Sequence, residues 1–280
     1  MKIYIPTLGR WGAKTAFKRE APSFRLFPKH EPPENIVAVV EPHEATQYRS
    51  ALDSIGLTGS QVLTLPHSGR GLAFARNWIL NHAYQQGEEW FVMADDDIFH
   101  FASMKPPRKT SMSSWAPLRG AMQHVIDQSR TAQPGSFDYA TLCMVAGVYR
   151  ANLNAKEGED PFVRPFGFMD VCVAYNAPLL KNSGMTWKDE FLLKLDRAFA
   201  LECICSGLQT AMILNHGFSP RPMGEFRGGL SEHYANKSMV EEGCLAMVKA
   251  WPGIVSLIEK KGAMDIWIDI RTIRDLAKQV

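Results

Sequence analysis

The sequence predicts an α/β fold built on a parallel, doubly wound sheet, and three observations lead to this prediction. Uninterrupted apolar runs recur through the first hundred positions, as expected for strands that are buried on both faces. Stretches of helical length lie between these runs, and turns with glycine or proline separate the segments. Strands that alternate with helices are typical of a parallel sheet with right-handed crossovers.

The first half of the chain follows this alternation closely. A short strand at its start is closed by a Pro-Thr-Leu-Gly turn, and the run Ile-Val-Ala-Val-Val predicts a second, buried strand. A glycine-containing loop leads into a helix just before the last strand of this half. The predicted elements are strand 2–6, strand 36–40, helix 45–55, strand 61–65, helix 72–85 and strand 90–94.

The second half is less regular. A segment rich in Lys, Pro, Ser and Met predicts a mobile lid or insertion. A strongly patterned helix is followed by Gly207, a favourable residue just beyond a helix C-terminus. The predicted elements are lid 103–114, helix 114–129, strands 138–150 and 166–175, helix 192–206, strand 209–214, loop 217–230 and a mostly helical segment at 238–278.

Length, charge and cysteine usage narrow the class of protein. The 280 residues are enough for one large domain with a sizeable core. The net charge is only +2, but residues 1–30 hold seven Lys or Arg against one acid. Such a cluster fits nucleic acid or nucleotide phosphates, and it equally fits a solvated surface. Five cysteines without a Cys-x-x-Cys pair, no leader peptide and no long apolar run predict an intracellular protein with no membrane partner.

Three consecutive carboxylates, Asp95, Asp96 and Asp97, follow the predicted strand 90–94. In open α/β sheets, ligands bind at the carboxyl ends of the strands. Adjacent carboxylates repel one another, and a divalent cation such as Mg²⁺ or Mn²⁺ explains their placement because it takes oxygen ligands and leaves positions for phosphates. The competing interpretation is an acidic surface turn or a helix cap.

The segment Arg70-Gly-Leu-Ala-Phe-Ala-Arg76-Asn77 precedes the acidic strand. A glycine loop that enters a helix presents free N–H groups and the positive end of the helix dipole to a phosphate. Arg70 and Arg76 add bidentate donors. Taken alone, the segment also fits an ordinary loop followed by an amphipathic helix.

Together with Tyr4-Ile-Pro-Thr-Leu-Gly-Arg10 and Val39-Val-Glu41-Pro, these two motifs resemble the GT-A glycosyltransferases in order and spacing over residues 1–100, and more weakly to about 230. More narrowly, the chain resembles the phage TET/JBP-associated glycosyltransferases, which act on hydroxymethylated pyrimidines in DNA. The resemblance implies a GT-A (Rossmann-like) fold with a mixed, mainly parallel sheet flanked by helices. It implies one domain, with a nucleotide-sugar half at 1–100, an acceptor half at 101–237 and C-terminal helices at 238–280.

The resemblance also implies a donor site on these motifs. Asp95 and Asp97 correspond to the DxD carboxylates, which hold a Mn²⁺ or Mg²⁺ ion that bridges the donor diphosphate. Asp97 is the expected direct ligand, and Asp96 is expected to face the ribose or the donor sugar. The other residues implied to contact the nucleotide sugar, expected to be a UDP-sugar, are Thr7, Arg10, Glu41, Arg70, Arg76 and Asn77.

An inverting enzyme also needs a general base for the acceptor hydroxyl. Asp196 is the first candidate because it shares the sheet-facing side of a helix with Leu192 and Phe199, where an unpartnered carboxylate is costly. An ion pair with Lys194 or Arg197 is the alternative explanation. The other acids considered are Asp189 and Glu190, as alternative bases, and Asp170, near the acceptor.

Two histidines are candidates for a further metal ligand, since GT-A metals often take one from a late loop. They are His216 and His233, and His233 is favoured because Arg227 and two glycines precede it. The aromatic and basic stretch 99–119 is predicted either to contact a DNA acceptor or to form a lid with incidental charge. The acceptor-binding candidates are Lys105, Arg108, Trp115 and Asp170, with Phe99, Phe101 and Lys109 nearby.

The function expected from these residues is metal-dependent transfer of a sugar from a UDP-sugar to a 5-hydroxymethylated pyrimidine in double-stranded phage DNA, in the cytoplasm of the host cell. The first alternative is a GT-A enzyme that acts on a saccharide or a small molecule. The second is a nucleic-acid-binding protein without activity, in which the acids are structural.

Overall fold

The computed structural model describes residues 1–11, 21–29, 31–57, 61–105, 108–112, 114–131, 139–220, 236–260, 262–269 and 271–273. The strands are β1 (Ile3–Pro6), β2 (Ile36–Val40), β3 (Gln61–Thr64), β4 (Trp90–Ala94), β5 (Ile98–Lys105), β6 (Arg108–Met112), β7 (Leu142–Tyr149), β8 (Val163–Pro165), β9 (Cys172–Asn176), β10 (Gln209–Pro220), β11 (Val255–Lys260) and β12 (Ala263–Ile268). The helices are α1 (Ser23–Leu26), α2 (Ala45–Ser54), α3 (Gly71–Gln85), α4 (Ala116–Thr131), α5 (Ala177–Asn182), α6 (Leu195–Cys205) and α7 (Lys237–Ala250).

The described strands form one large mixed sheet in the order β3-β2-β1-β4-β9-β7-β10-β5-β6, with β8 paired to β10. The first four are parallel to one another, as the alternation of strands and helices predicts. Strand β9 runs antiparallel between β4 and β7, and β10 runs parallel to β7. Most strands therefore share one direction, and the predicted mixed, mainly parallel sheet flanked by helices is confirmed.

Hydrophobic cores cover both faces of this sheet. Alternate residues of β1 and β2, such as Tyr4 and Val37, belong to the core formed with α3, α5 and α6. Their neighbours Ile3 and Ile36 belong to the opposite core, formed with α2 and α4. Strands β2 and β4 are buried along their whole length. Because both faces are covered, a ligand reaches these strands at their ends.

The C-terminal segment differs from its prediction. Residues 238–278 are predicted to be mostly helical. In the described part of this segment, α7 and residues 271–273 are helical, but β11 and β12 form an antiparallel hairpin between them. One face of the hairpin carries the buried residues Val255, Ile266 and Ile268, which is a strand pattern of period two. The prediction of C-terminal helices is therefore wrong for β11 and β12.

Smaller differences affect the acceptor half. Part of the predicted lid at 103–114 belongs to a hairpin, because β5 continues to Lys105 and pairs with β6. The predicted strand 166–175 shortens to β9, since Phe166 and Val171 take positive φ values before it. The predicted helix 192–206 begins only at Leu195, because Leu192 has a φ of 38°. Strand β10 runs beyond the predicted 209–214, to Pro220. No helix in the described ranges is both long and apolar enough to cross a membrane.

Candidate active site

The carboxyl ends of β1, β2 and β4 meet at one edge of the sheet. These strands are adjacent and parallel, so the segments that follow them lie close together. The turn after β1 carries Thr7 and Arg10, Glu41 follows β2, and the acids 95–97 follow β4. The sheet therefore brings together motifs that are up to ninety residues apart in the sequence.

Asp96 is held inside the protein by the turn after β1. Its carboxylate accepts a hydrogen bond of 2.5 Å from the Thr7 hydroxyl and forms an ion pair with the Arg10 guanidinium. The Tyr48 hydroxyl lies 2.7 Å from Thr7 Oγ1 and accepts a hydrogen bond from the Arg10 backbone N–H. Burial raises the pKa of Asp96, and Arg10 and Thr7 oppose that shift.

These contacts give three candidate residues a structural role. Thr7, Arg10 and Asp96 are each more than nine-tenths buried and bonded to one another. Their side chains therefore hold the acidic turn against β1, and their contacts with the nucleotide sugar stay predictions. Ser23 supports the same turn, because its hydroxyl donates to the Asp95 carbonyl at 2.7 Å and accepts from the Ile98 N–H at 3.0 Å.

Arg76 links the acidic turn to the predicted base. Its guanidinium forms an ion pair with Asp196 through Nη1, and its Nη2 lies 3.6 Å from Asp95 Oδ1. The Arg76 side chain is 5% exposed, whereas those of Asp95 and Asp196 are 35% and 24% exposed. The cation is thus buried beneath two carboxylates that open toward solvent. The structure thus places Asp196, the candidate base, beside the acidic turn.

The electrostatics of Asp95 follow from this arrangement. Burial raises the pKa of Asp95 well above its usual value, and the Arg76 guanidinium opposes that shift. The nearby carboxylates of Asp97 and Asp196 raise the pKa of Asp95 further. Several negative charges therefore converge at this turn, where the buried guanidinium groups of Arg76 and Arg10 offset part of them.

A small cleft lies over this cluster, and its walls include residues that the sequence analysis missed. Pro6, Ala94 and Val171 line it together with Arg76, Asp95 and Asp196. Tyr175 of β9 also lines the cleft. Burial and the Asp196 carboxylate raise the pKa of its hydroxyl, and Arg76 opposes that shift. Tyr175 lies in a buried strand opposite Phe91 of β4, so sequence alone predicts a core position for it.

Asp170 and Tyr149 complete the acidic surroundings. Burial and the Asp196 carboxylate together raise the pKa of Asp170 to about 6, although Arg197 opposes the shift. Burial also raises the pKa of Tyr149, and among the carboxylates Asp170 adds most to that shift. The acceptor candidate Asp170 and the base candidate Asp196 are therefore electrostatic neighbours.

The glycine loop before α3 is tied to β2 through Glu41. The Gly69 N–H donates to Glu41 Oε1 at 2.8 Å. Gly69 and Gly71 have φ values of 69° and 79°, a backbone conformation that favours glycine. Glu41 therefore positions the loop, a role that the sequence analysis did not predict. Arg70 is exposed at the start of α3 and lies over the Phe74 ring, so its guanidinium is accessible to an anion.

Asn77 has a structural role that the sequence analysis did not predict. Its amide donates to the Trp187 carbonyl and accepts from the Trp187 N–H, both at 2.8 Å. This pair of hydrogen bonds fastens α3 to the segment before α6. These bonds explain the residue without a contact to the sugar nucleotide, which stays a prediction.

The acceptor-binding candidates separate into different environments. Trp115 is 1% exposed, and its indole N–H donates to Glu31 at 2.9 Å, so the prediction that it stacks on a base is wrong. Phe101 is buried as well, whereas Phe99 and Lys105 are exposed on β5. The side chains of Arg108 and Lys109 on β6 lie outside the described residues, as do His233 and Arg227.

His216 lies far along the sheet from the acidic turn at 95–97. It is opposite Ser103 in the β10–β5 ladder, and Ser103 is six residues beyond Asp97, about 20 Å at roughly 3.3 Å per residue. Its Nε2 lies 3.2 Å from Asp160 Oδ1. Burial lowers the pKa of His216, and Asp160 opposes that shift. This position separates His216 from a cation held by Asp97.

The fit of a divalent cation rests on the chemistry of the donors. Within the described ranges, three or more His, Cys, Asp or Glu side chains do not form a complete ligand cluster. Asp95 and Asp97 nevertheless offer carboxylate oxygens, which Mg²⁺ and Mn²⁺ prefer, and a cation that uses two carboxylates plus substrate phosphates needs no larger cluster.

The fold and the site define an α/β enzyme whose ligand cleft lies at the carboxyl edge of the sheet, between a glycine loop and an acidic turn. The family model described as TET-Associated Glycosyltransferase matches residues 1–212. The chain therefore belongs to the TET-associated glycosyltransferase family, and the protein is a glycosyltransferase.

Known structures resemble the chain only distantly. No curated protein matches it. TarS 1-349 from S. aureus in complex with UDP is 12% identical with a TM-score of 0.47, covering 89% of this chain and 66% of that one. TarS 1-349 in complex with UDP-GlcNAc is 12% identical with a TM-score of 0.48, and the match covers 89% of this chain and 67% of that one. Mannose-1-phosphate geranyltransferase from Thermus thermophilus is 11% identical with a TM-score of 0.43, covering 99% and 98%. The chain thus spans slightly less than two thirds of TarS 1-349 in the UDP complex.

Proposed function

We propose that this glycosyltransferase moves a sugar from a UDP-sugar to the hydroxymethyl group of a 5-hydroxymethylated pyrimidine in double-stranded phage DNA. The observation that carries the donor half of the proposal is the convergence of Asp95, Arg76 and Asp196 in one cleft beside the glycine loop. The acceptor half of the proposal rests on the family and on the sequence resemblance to enzymes that glycosylate hydroxymethylated pyrimidines in DNA. Such an acceptor implies that the protein works in the cytoplasm of the infected cell.

The donor diphosphate would lie between the acidic turn and the start of α3. Asp95 and Asp97 would hold Mn²⁺ or Mg²⁺, which would supply Lewis-acid stabilisation to the departing diphosphate. Arg70 is exposed at the N-terminus of α3, where the free backbone N–H groups and the helix dipole favour an anion. Glu41 contributes indirectly, because its hydrogen bond to Gly69 fixes the loop.

Asp196 would serve as the general base. The bond from the anomeric carbon to the diphosphate oxygen breaks, the acceptor oxygen forms a new bond to that carbon, and the hydroxyl proton passes to Asp196. Arg76 holds this carboxylate in place from below. Direct displacement of this kind inverts the anomeric centre. The Asp170 and Asp196 carboxylates interact electrostatically, and Asp170 would contact the acceptor hydroxyl.

The proposed DNA contact rests on fewer residues than the sequence predicts. Lys105 and Phe99 are exposed on β5, where a cation and an aromatic ring can contact phosphate and base. Replacing Lys105 with Ala is expected to weaken DNA binding and to reduce its salt dependence. Lys249→Ala is the matched control, because Lys249 is an exposed lysine on α7, remote in the chain from the cleft.

The acceptor is tested by incubating the protein with UDP-sugars, Mn²⁺ and DNA that contains 5-hydroxymethylcytosine, followed by mass spectrometry of the nucleosides. We expect the modified nucleoside to gain one sugar, and unmodified DNA to remain unchanged. Transfer to a free saccharide with none to DNA would replace the DNA acceptor with the saccharide alternative. The other alternative, a binding protein without activity, conflicts with the family.

A further inference from the structure

The C-terminal part of the chain packs against the start of the helix that carries Asp196. Helix α7 lies on the segment 189–194, where a Cβ on Gly243 would come within 3.2 Å of the Phe191 carbonyl oxygen. The ring centroids of Phe191 and Trp251 are 5.1 Å apart. Helix α6 follows this segment directly. The family match covers residues 1–212, so these contacts come from a part of the chain beyond it.

Asp265 of β12 binds two cations at the start of α6. Its Oδ1 lies 2.7 Å from Lys194 Nζ and 3.8 Å from Arg197 Nη1. The side chains of Lys194 and Asp265 are 14% and 20% exposed, so solvent screens this pair only in part. Although burial raises the pKa of Asp265, the Lys194 ammonium and the Ile266 N–H together lower it below its usual value. Asp265 is therefore ionised at neutral pH.

The two cations that Asp265 binds also flank the candidate base in the sequence. Lys194 lies two residues before Asp196, and Arg197 follows it directly. Both cations nevertheless pair with Asp265 on the hairpin. Within the described ranges, the ion pair of Asp196 is with Arg76, which reaches it from the opposite side of the chain's fold through α3. Asp265 thus separates the charges of the flanking cations from the base.

Lys194 and Arg197 remain within electrostatic reach of the cleft. Burial raises the pKa of Asp170, and Arg197 and Lys194 oppose that shift. Without the anion of Asp265, the acids left near these cations are Asp196 and Asp170. A cation that pairs with Asp196 would stabilise its ionised form and make it a weaker proton acceptor.

We propose that Asp265 is a positioning residue of this glycosyltransferase, which holds Lys194 and Arg197 away from Asp196 and so keeps that carboxylate available for the proton of the acceptor hydroxyl. The inference rests on the proposed role of Asp196 as the general base. It gives the C-terminal hairpin a part in the reaction, because the hairpin carries the anion that the neighbours of the base require.

A double-mutant cycle between Lys194→Met and Asp196→Asn tests this arrangement without an activity assay. We expect the coupling between the two substitutions, expressed as a factor in the equilibrium constant for unfolding in urea, to be at least about threefold larger in Asp265→Asn than in the wild-type chain. Asp265→Ser removes the same charge and serves if Asp265→Asn does not fold. Glu259→Gln, which alters an exposed acid on β11 of the same hairpin, is the matched control and should leave the coupling unchanged.

Kinetics test the consequence for the reaction, with the acceptor that the wild type modifies. Asp265→Asn should lower kcat roughly three- to tenfold and leave the KM for the UDP-sugar unchanged. Adding Lys194→Met should recover part of kcat, and Asp265→Glu, which keeps the anion, should retain more activity than Asp265→Asn. Equal coupling with and without Asp265, or a loss of kcat that Lys194→Met deepens, overturns the proposal. Full activity in Asp196→Asn would instead refute the proposed base, whatever the coupling.

Discussion

Replacing Arg76 with Met should destabilise the protein strongly and in a pH-dependent manner. The guanidinium lies 3.6 Å from Asp95 and also pairs with Asp196. At an effective dielectric constant of about 20, a pair of charges at 3.6 Å interacts by roughly 4–5 kcal/mol. Protonation and solvent relieve part of the loss, so we expect a decrease of about 3–5 kcal/mol in the free energy of unfolding. Urea denaturation of the variant and the wild type measures this difference.

The sign of the pH dependence follows from Asp95. Its pKa in the folded protein is raised above the usual value, so its ionised form opposes folding, and removing Arg76 raises that pKa further. The deficit of Arg76→Met should therefore shrink as the pH falls from about 8 to about 5. Adding Asp196→Asn to the variant removes one of the uncompensated charges and should restore part of the stability. A deficit below about 1 kcal/mol, or one that is equal at both pH values, would refute the view of Arg76 as the buried counterion of this cleft.

Three further predictions concern single residues. Because the pKa of Asp170 is raised to about 6, its charge destabilises the fold above about pH 6 and not below about pH 4. Asp170→Asn should therefore increase the free energy of unfolding by up to about 3 kcal/mol near neutral pH and leave it unchanged in acid, as measured by urea denaturation. Gly71→Ala forces a φ of 79° on a residue with a Cβ, which should lower the free energy of unfolding by about 1 kcal/mol. It should also weaken UDP binding measured by calorimetry, and unchanged binding would argue against the loop as a phosphate site. Asn77→Ala removes two hydrogen bonds to Trp187 and should lower the stability measured by thermal unfolding by about 1–3 kcal/mol, while the KM for the donor stays unchanged. A raised KM with unchanged stability would mean that Asn77 contacts the donor.

The sequence predicts the donor half of the fold well because its signals are local. Strands β2 and β4 are uninterrupted apolar runs, and both are buried on the two faces of the sheet. The position of the acids at the end of β4 follows from the same pattern and from the parallel order of the first strands. The C-terminal hairpin was missed because apolar residues spaced along β11 and β12 also fit a helical period.

The division of labour within the site depends on contacts that sequence spacing does not show. The resemblance already separates Asp96 from Asp95 and Asp97, but spacing does not show that Arg10 and Thr7, more than eighty residues earlier, hold the Asp96 carboxylate inside the protein. Because basic residues surround Trp115 in the sequence, it is a plausible residue to stack on a DNA base. It is nevertheless buried, and its indole N–H donates to Glu31 inside the protein.

The pairing of Arg76 with Asp196 joins residues 120 positions apart. Each residue alone fits several roles, since a buried arginine can hold a phosphate and a helical aspartate can be a base. Their ion pair shows that Arg76 supports carboxylates from inside the protein. Only the tertiary structure distinguishes a cation that contacts substrate from one that positions the groups that do.

The most direct test of the proposed donor site is UDP binding, measured by calorimetry with and without Mn²⁺. The wild type and Asp127→Asn, which alters an exposed acid on α4, should bind UDP only with the cation. Asp97→Asn should bind at least about tenfold more weakly, a loss of about 1.4 kcal/mol. Equal UDP affinity in Asp97→Asn and the wild type, or in the presence and absence of Mn²⁺, would contradict the assignment of the acidic turn as the metal and diphosphate site.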